Sequence, residues 1–174
     1  MEAVRRHDGQ MEENAEAYVP DDFHSRFIEP LLADAYGLAF GMLQDREAAE
    51  DVLQEAALSA WKARSRFDPT RAAKPWFLTV VANRCRSVRR DRWWSVIKGG
   101  VFESRASPDP QQSHSEDLRQ AIRSLPLDQR LVIVLHFYMD MSLNEVAEVA
   151  GVPEGTVKSR LHRGLQRLEK YLDA

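Results

Sequence analysis

The chain has 174 residues, 44% of them hydrophobic, and a net charge of −3, which suits one ordinary folded domain or two small ones. No run approaches the ~18–20 apolar residues of a membrane span, and the N-terminal "MEAVRRHDGQMEENAEAYVPDD" lacks the apolar stretch of a secretory signal. The single cysteine, Cys85, excludes an internal disulfide framework and any multi-cysteine zinc site, so the expectation is a cytoplasmic protein.

Almost every segment reads as helix. Residues 1–20 are polar and expected to be loose. From Phe23 to about Leu43, Phe27, Leu31, Ala35, Leu38 and Met42 recur at steps of three and four, with Pro30 placed to kink or restart the helix. Asp45 is a natural cap for a second helix through about Arg66, with Ala49, Val52, Leu53, Ala56, Ala60 and Trp61 inward. After the loop "FDPTRAAKP", a third helix runs from about Pro75 to Trp94, with Phe77, Val80, Val81, Cys85 and Val88 inward. Gly99-Gly100, Pro108, Pro110 and the surrounding Ser and Gln read as a flexible linker over 95–115. Four further helices are predicted at Asp117–Ser124, Leu127–Tyr138, Leu143–Ala150 and Glu154–Leu172.

Charge divides the chain. Met1–Glu55 holds 4 basic and 14 acidic residues, whereas Ala56–Ala106 holds 12 basic and 3 acidic, so the middle third is the face for a polyanion. Asp51 and Glu55, with Gln54 between and Glu47 and Glu50 a turn earlier, make one helix face acidic. That face is either plainly solvated or suited to a basic protein. In "KPWFLTVVANRCRSVRRDRWW", aromatics stand beside Asn83 and five arginines. Flat rings beside cations suit single-stranded nucleic acid, but the same rings could equally be core.

"SLNEVAEVAGVPEGTVKSRLHR" raises a sharper expectation. Ser142 and Glu145 have capping-box spacing, Gly151 can take the left-handed conformation that ends a helix, and Pro153 opens the next. Val146, Val152, Val157 and Leu161 would join the two helices as a helix-turn-helix. Thr156, Lys158, Ser159, Arg160, His162 and Arg163 would face DNA, since early residues of a recognition helix reach base edges and flanking cations hold phosphates. The stripe Val157, Leu161, Leu165, Leu168 and Leu172 reads as core, being too short for a dimeric zipper.

"AEDVLQEAALSAW", "WFLTVVANRCRSVRR" and "SLPLDQRLVIVLHFYMDMSLNEVAEVAGVPEGTVKSRLHRGLQRL", in that order, resemble bacterial sigma factors of the sigma-70 family, extracytoplasmic-function (ECF) group. The resemblance covers Phe23–Trp94 and Glu116–Leu172. It implies an all-α fold of two small helical domains: a sigma2-like bundle over 21–94 and a sigma4-like helix-turn-helix domain over 116–174. The family's regions 1.1 and 3 have no counterpart in the chain. The implied partners are core RNA polymerase, through its β′ coiled coil and β flap, and promoter DNA; an anti-sigma factor is a further partner that many relatives have. Asp51, Gln54 and Glu55 would then lie on the β′ coiled coil. Phe67, the Asp68–Lys74 loop and Asn83 would hold a base flipped from the −10 element, beside Trp76. Arg84, Arg86, Arg89 and Arg90 would grip the melting strand or upstream duplex. The −35 element would meet Thr156, Lys158, Ser159, Arg160, His162 and Arg163.

The implied protein is monomeric when free and carries no cofactor or metal. The rival reading is a self-sufficient dimeric helix-turn-helix regulator, which needs an apolar seam that the sequence does not offer. An enzyme is disfavoured because the five histidines are scattered and no phosphate loop or metal spacing occurs. Trp93-Trp94 fits core packing, linker docking or an anti-sigma contact.

Overall fold

The computed structural model describes residues 22–97 and 113–173, and every regular element among them is helical. Pro30 shapes the entry. Lacking an N–H, it sits at the start of a 3-10 turn, Glu29–Leu31, which follows a wide π-type turn, His24–Ile28. The first α-helix, α1, therefore starts only at Leu32 and runs Leu32–Leu43. It ends at Gln44, whose left-handed backbone (φ 54°) turns its N–H onto the Phe40 carbonyl at 2.7 Å.

Asp45 caps α2 (Arg46–Lys62) by accepting the Ala48 N–H at 3.1 Å. Ala49, Val52, Ala56 and Ala60 are buried, and such small side chains let α2 lie close against its neighbours. Leu53 and Trp61, expected on that face, are only partly covered. The helix stops at Lys62, and Arg64–Arg66 is a 3-10 turn rather than its continuation. α3 (Ala73–Ile97) begins before Pro75 and continues past Trp94. Phe77, Val81 and Cys85 are buried on it, while Val80 and Val88 are half-buried. Burial pushes the Cys85 thiol up to about 12, so this cysteine is an inert packing group.

The second half contains α4 (Ser113–Ser124), α5 (Leu127–Ile133) with a π-type extension over Val134–Tyr138, α6 (Leu143–Ala150) and α7 (Glu154–Leu172). The expected boundaries at 127–138, 143–150 and 154–172 agree with these. α4 starts at Ser113, so both ends of the expected 95–115 linker are helical. The N-terminal extension, residues 98–112 and the Trp93 and Trp94 side chains lie outside the described residues.

The α7 stripe needs correction. Val157 and Leu161 are buried and Leu168 is half-buried, but Leu165 and Leu172 are 43% and 52% exposed. Gly164 takes the inward place instead. A Cβ there would stand 2.6 Å from Ile133 Cδ1, so α5 meets α7 where α7 has no side chain. Steps of four, three and four from Val157 to Leu168 run through Gly164, which a search for apolar side chains passes over.

The two halves share one continuous core running from Ile28 to Leu161. Gly41 on α1 faces Val134, whose Cγ2 would lie 2.9 Å from an added Cβ, and Gly37 faces Tyr138. α3 also packs on α6. Arg130, only 1% exposed, donates to the carbonyls of Met42, Arg123 and Leu125, at the C-terminal ends of α1 and α4. Those carbonyls have no partner within their own helices, and the negative ends of two helix dipoles converge on the guanidinium.

Candidate nucleic-acid interface

The acidic face expected on α2 is present: Glu47, Glu50, Asp51, Gln54 and Glu55 are all exposed, with Val52 and Ala56 turned to the core between them. Glu55 also reaches across to α3, where Arg84 Nη2 lies 3.2 Å from its Oε2. The acidic face therefore meets the basic face of α3 at a shared edge.

The loop before α3 is preformed. Asp68 Oδ1 accepts the Thr70 N–H at 2.9 Å and the Thr70 hydroxyl at 2.6 Å. These two bonds hold its carboxyl below the usual carboxylate range. Lys74 is fixed by Asp34 at 2.8 Å. Phe67 and Trp76 pack 4.9 Å apart in a cluster with Phe23 and Phe27, and both remain half-buried. Of the rings left open between core and contact, Phe77 is fully buried as core, Trp76 is half-buried beside Phe67, and the Trp93 and Trp94 side chains lie outside the described residues.

Along α3, Asn83, Arg89 and Arg90 are exposed. Arg90 donates to Ser87 Oγ at 3.1 Å. Arg92 belongs to the scaffold, pairing with the capping Asp45 at 3.1 Å. Arg86 has a role that sequence reasoning missed. Its Nη1 donates to Asn83 Oδ1 at 2.9 Å, its Nη2 donates to the Ala150 carbonyl at 3.1 Å, and its Nε lies 3.9 Å from Asp128. Two of these partners belong to the second half of the chain.

The helix-turn-helix forms as its grammar predicts. Ser142 Oγ accepts the Glu145 N–H at 3.3 Å, and Glu145 Oε2 accepts the Ser142 N–H at 2.9 Å, completing the capping box. The Ser142 bonds hold the Glu145 carboxyl low, so the cap is intact at neutral pH and weakens only as acid protonates it. Gly151 has φ 67°, which costs glycine nothing. On α7, Lys158, His162 and Arg163 are exposed and Thr156 is half-buried. Lys158 pairs with Glu154 at 2.7 Å, and the Ser159 hydroxyl donates to the Thr156 carbonyl at 3.0 Å. Arg160 Nη2 is held by Asp128 Oδ2 at 2.9 Å, while its buried Nη1 has no hydrogen-bond partner among the described residues.

Asp128 and Glu148 were not anticipated, nor was the contact that Glu148 makes with Arg71 of the Asp68–Lys74 loop. Arg71 Nη2 bonds Glu148 Oε1 at 2.8 Å, 77 residues along the chain. No local pattern signals such a contact, because both ends read as ordinary surface charge.

Residues 27–95 match the family described as Sigma-70 region 2, and residues 115–168 match Sigma-70, region 4. The chain belongs to the sigma-70 family. Among curated relatives, the ECF RNA polymerase sigma factor SigW of Bacillus subtilis is 31% identical over 79% of this chain and 82% of its own length. ECF sigma factor SigL of Mycobacterium tuberculosis is 32% identical over 77% and 80%. The sigma factor RpoE of Bartonella quintana, solved in complex with the anti-sigma factor NepR, superposes with a TM-score of 0.76 at 28% identity, covering 88% of this chain and 98% of that one. CnrH, solved with the cytosolic domain of CnrY, shares the fold at a TM-score of 0.67 and 22% identity. The protein is thus an ECF-group sigma factor directing promoter-specific initiation by RNA polymerase. No described helix is long and apolar enough to cross a membrane.

Proposed function

We propose that region 2 of this sigma factor, residues 21–94, docks on core polymerase through Asp51, Gln54 and Glu55 and opens the −10 element with α3 and its preceding loop. The platform of Phe67 and Trp76, the Asp68–Lys74 loop and Asn83 receive an extruded base; a few kcal/mol of lost stacking is repaid there. Arg84, Arg86, Arg89 and Arg90 hold the strand's phosphates. Region 4, residues 116–174, reads the −35 duplex through Thr156, Lys158, Ser159, Arg160, His162 and Arg163, with its other surface on the β flap. Residues 95–115 connect the two, and mounting both on polymerase raises their effective concentration at the promoter. The protein performs no bond chemistry of its own, acts in the cytoplasm and is monomeric when free.

The observation carrying this reading is the shared edge of α2 and α3, where an exposed acidic face for a basic coiled coil adjoins an exposed basic face for DNA. Asp51→Arg tests it. Reversing one charge at a docking face should weaken association with core polymerase about tenfold, roughly 1.4 kcal/mol. Because Asp51 is exposed, its helical content should not change. An unaltered binding curve in a fluorescence titration against core enzyme would move the docking face elsewhere.

A further inference from the structure

Five glycines fall among the described residues, and four of them have a reason within the fold. Gly37, Gly41 and Gly164 stand where an added Cβ would meet Tyr138, Val134 and Ile133 at 3.2, 2.9 and 2.6 Å. Gly151 takes the left-handed backbone that ends α6. Gly155 has neither reason. A Cβ there would meet nothing within 4 Å among the described residues, and the backbone is that of an ordinary first helical turn. Alanine would fit without strain and would leave the unfolded chain less freedom to lose, so stability alone favours alanine at this position.

The placement of Gly155 supplies a reason outside the fold. It precedes Lys158, Ser159 and His162 by three, four and seven residues, a spacing that puts all four on one side of α7. The buried Val157, Leu161 and Gly164 take the opposite side. Gly155 therefore heads the stripe assigned to the −35 duplex, at the end of a recognition helix whose residues contact base edges. Its neighbours on that side, Lys158, Ser159, His162, Arg163 and Gln166, are all polar, which suits a polyanion and not an apolar protein surface. Clearance there is small, because a helix with its side chains is about 10–12 Å across and the major groove about 12 Å wide. Ser159, one turn further on, has a short side chain. Its hydroxyl reaches a base edge only when the backbone of α7 comes in close.

We propose that Gly155 is a positioning residue for −35 recognition. Its bare backbone, on the groove-facing side of α7, sets how deeply the helix seats and so whether Ser159 and Lys158 reach the bases. This rests on the −35 assignment of α7 made above. Stability and recognition pull in opposite directions at this one residue, and no packing role would produce that pairing.

Two substitutions in the full-length chain test it. Gly155→Ala should melt ~1–4 °C above wild type and bind core polymerase with unchanged affinity. From promoters that wild type selects out of a genomic library, it should support run-off transcription reduced about fivefold or more. Gly155→Leu, a good helix former with a larger side chain, should also keep its core affinity and lose about fiftyfold. Transcription by both variants within about twofold of wild type would overturn the proposal. So would a loss of transcription accompanied by a lower melting temperature or by weaker core binding, which would assign Gly155 to folding or to the polymerase. Arg160→Ala, assayed alongside, separates this inference from the reading beneath it. If Arg160→Ala loses transcription and the Gly155 variants do not, the positioning role alone falls. If none of the three loses transcription, the −35 assignment of α7 falls with it.

Discussion

Arg130→Ala is expected to destabilise the folded chain by about 3–5 kcal/mol, read as a lower urea midpoint at unchanged slope. Three buried carbonyls, of Met42, Arg123 and Leu125, depend on this one guanidinium. Leaving each without a donor costs ~1–3 kcal/mol, and the cavity adds to that. Opposing this is relief from burying a charge that has no carboxylate partner among the described residues. Burial, with Arg89 and Arg123 nearby, pulls the Arg130 guanidinium down to about 10, so it is still protonated at neutral pH. The carbonyl term wins because three acceptors at two helix ends are lost together, whereas the charge penalty is already softened by those dipoles. Arg130→Met, which keeps the volume but not the donors, should fall between wild type and Arg130→Ala. A midpoint for Arg130→Ala within experimental error of wild type would mean the joint between α1 and α5 contributes nothing.

Arg160→Ala should reduce transcription from the protein's own promoter about 5- to 150-fold, the span of a ~1–3 kcal/mol guanine contact, while leaving the affinity for core polymerase unchanged. In this structure Asp128 holds its Nη2 at 2.9 Å and its Nη1 is buried, so the base contact requires that Asp128 release the side chain. Run-off transcription and a core pull-down on the same preparation separate the outcomes. Equal loss of both would assign Arg160 to folding or to the polymerase instead.

Local grammar in the sequence foretells local structure here. The boundaries of α6 and α7 follow from Ser142, Glu145, Gly151 and Pro153, because caps and left-handed turns act within four residues. Pro30 and Asp45 likewise announce where α1 and α2 begin. What stays hidden is long-range. Arg130 reads as surface charge until Met42, 88 residues earlier, is folded beside it. Asp128 has no motif, and its meaning arises only when α3 and α7 both arrive. Leu165 and Gly164 show the complementary failure: apolar periodicity marks a face only to within a residue, and here the close approach of Ile133 selects the glycine. The candidate site follows the same division. The residue sets on α2, α3 and α7 are legible as charge and aromatic patterns, but their mutual closure depends on tertiary packing that no helical period encodes.

The central claim is that this chain confers promoter recognition only when mounted on core RNA polymerase. The most direct test adds the purified chain, at low salt, to polymerase lacking its specificity subunit and to a library of promoter fragments. The account predicts a one-to-one complex with core enzyme and run-off transcripts from a defined promoter set, with no footprint from the free chain at the same concentration. No complex with core enzyme, or a tight footprint from the chain alone, would contradict it.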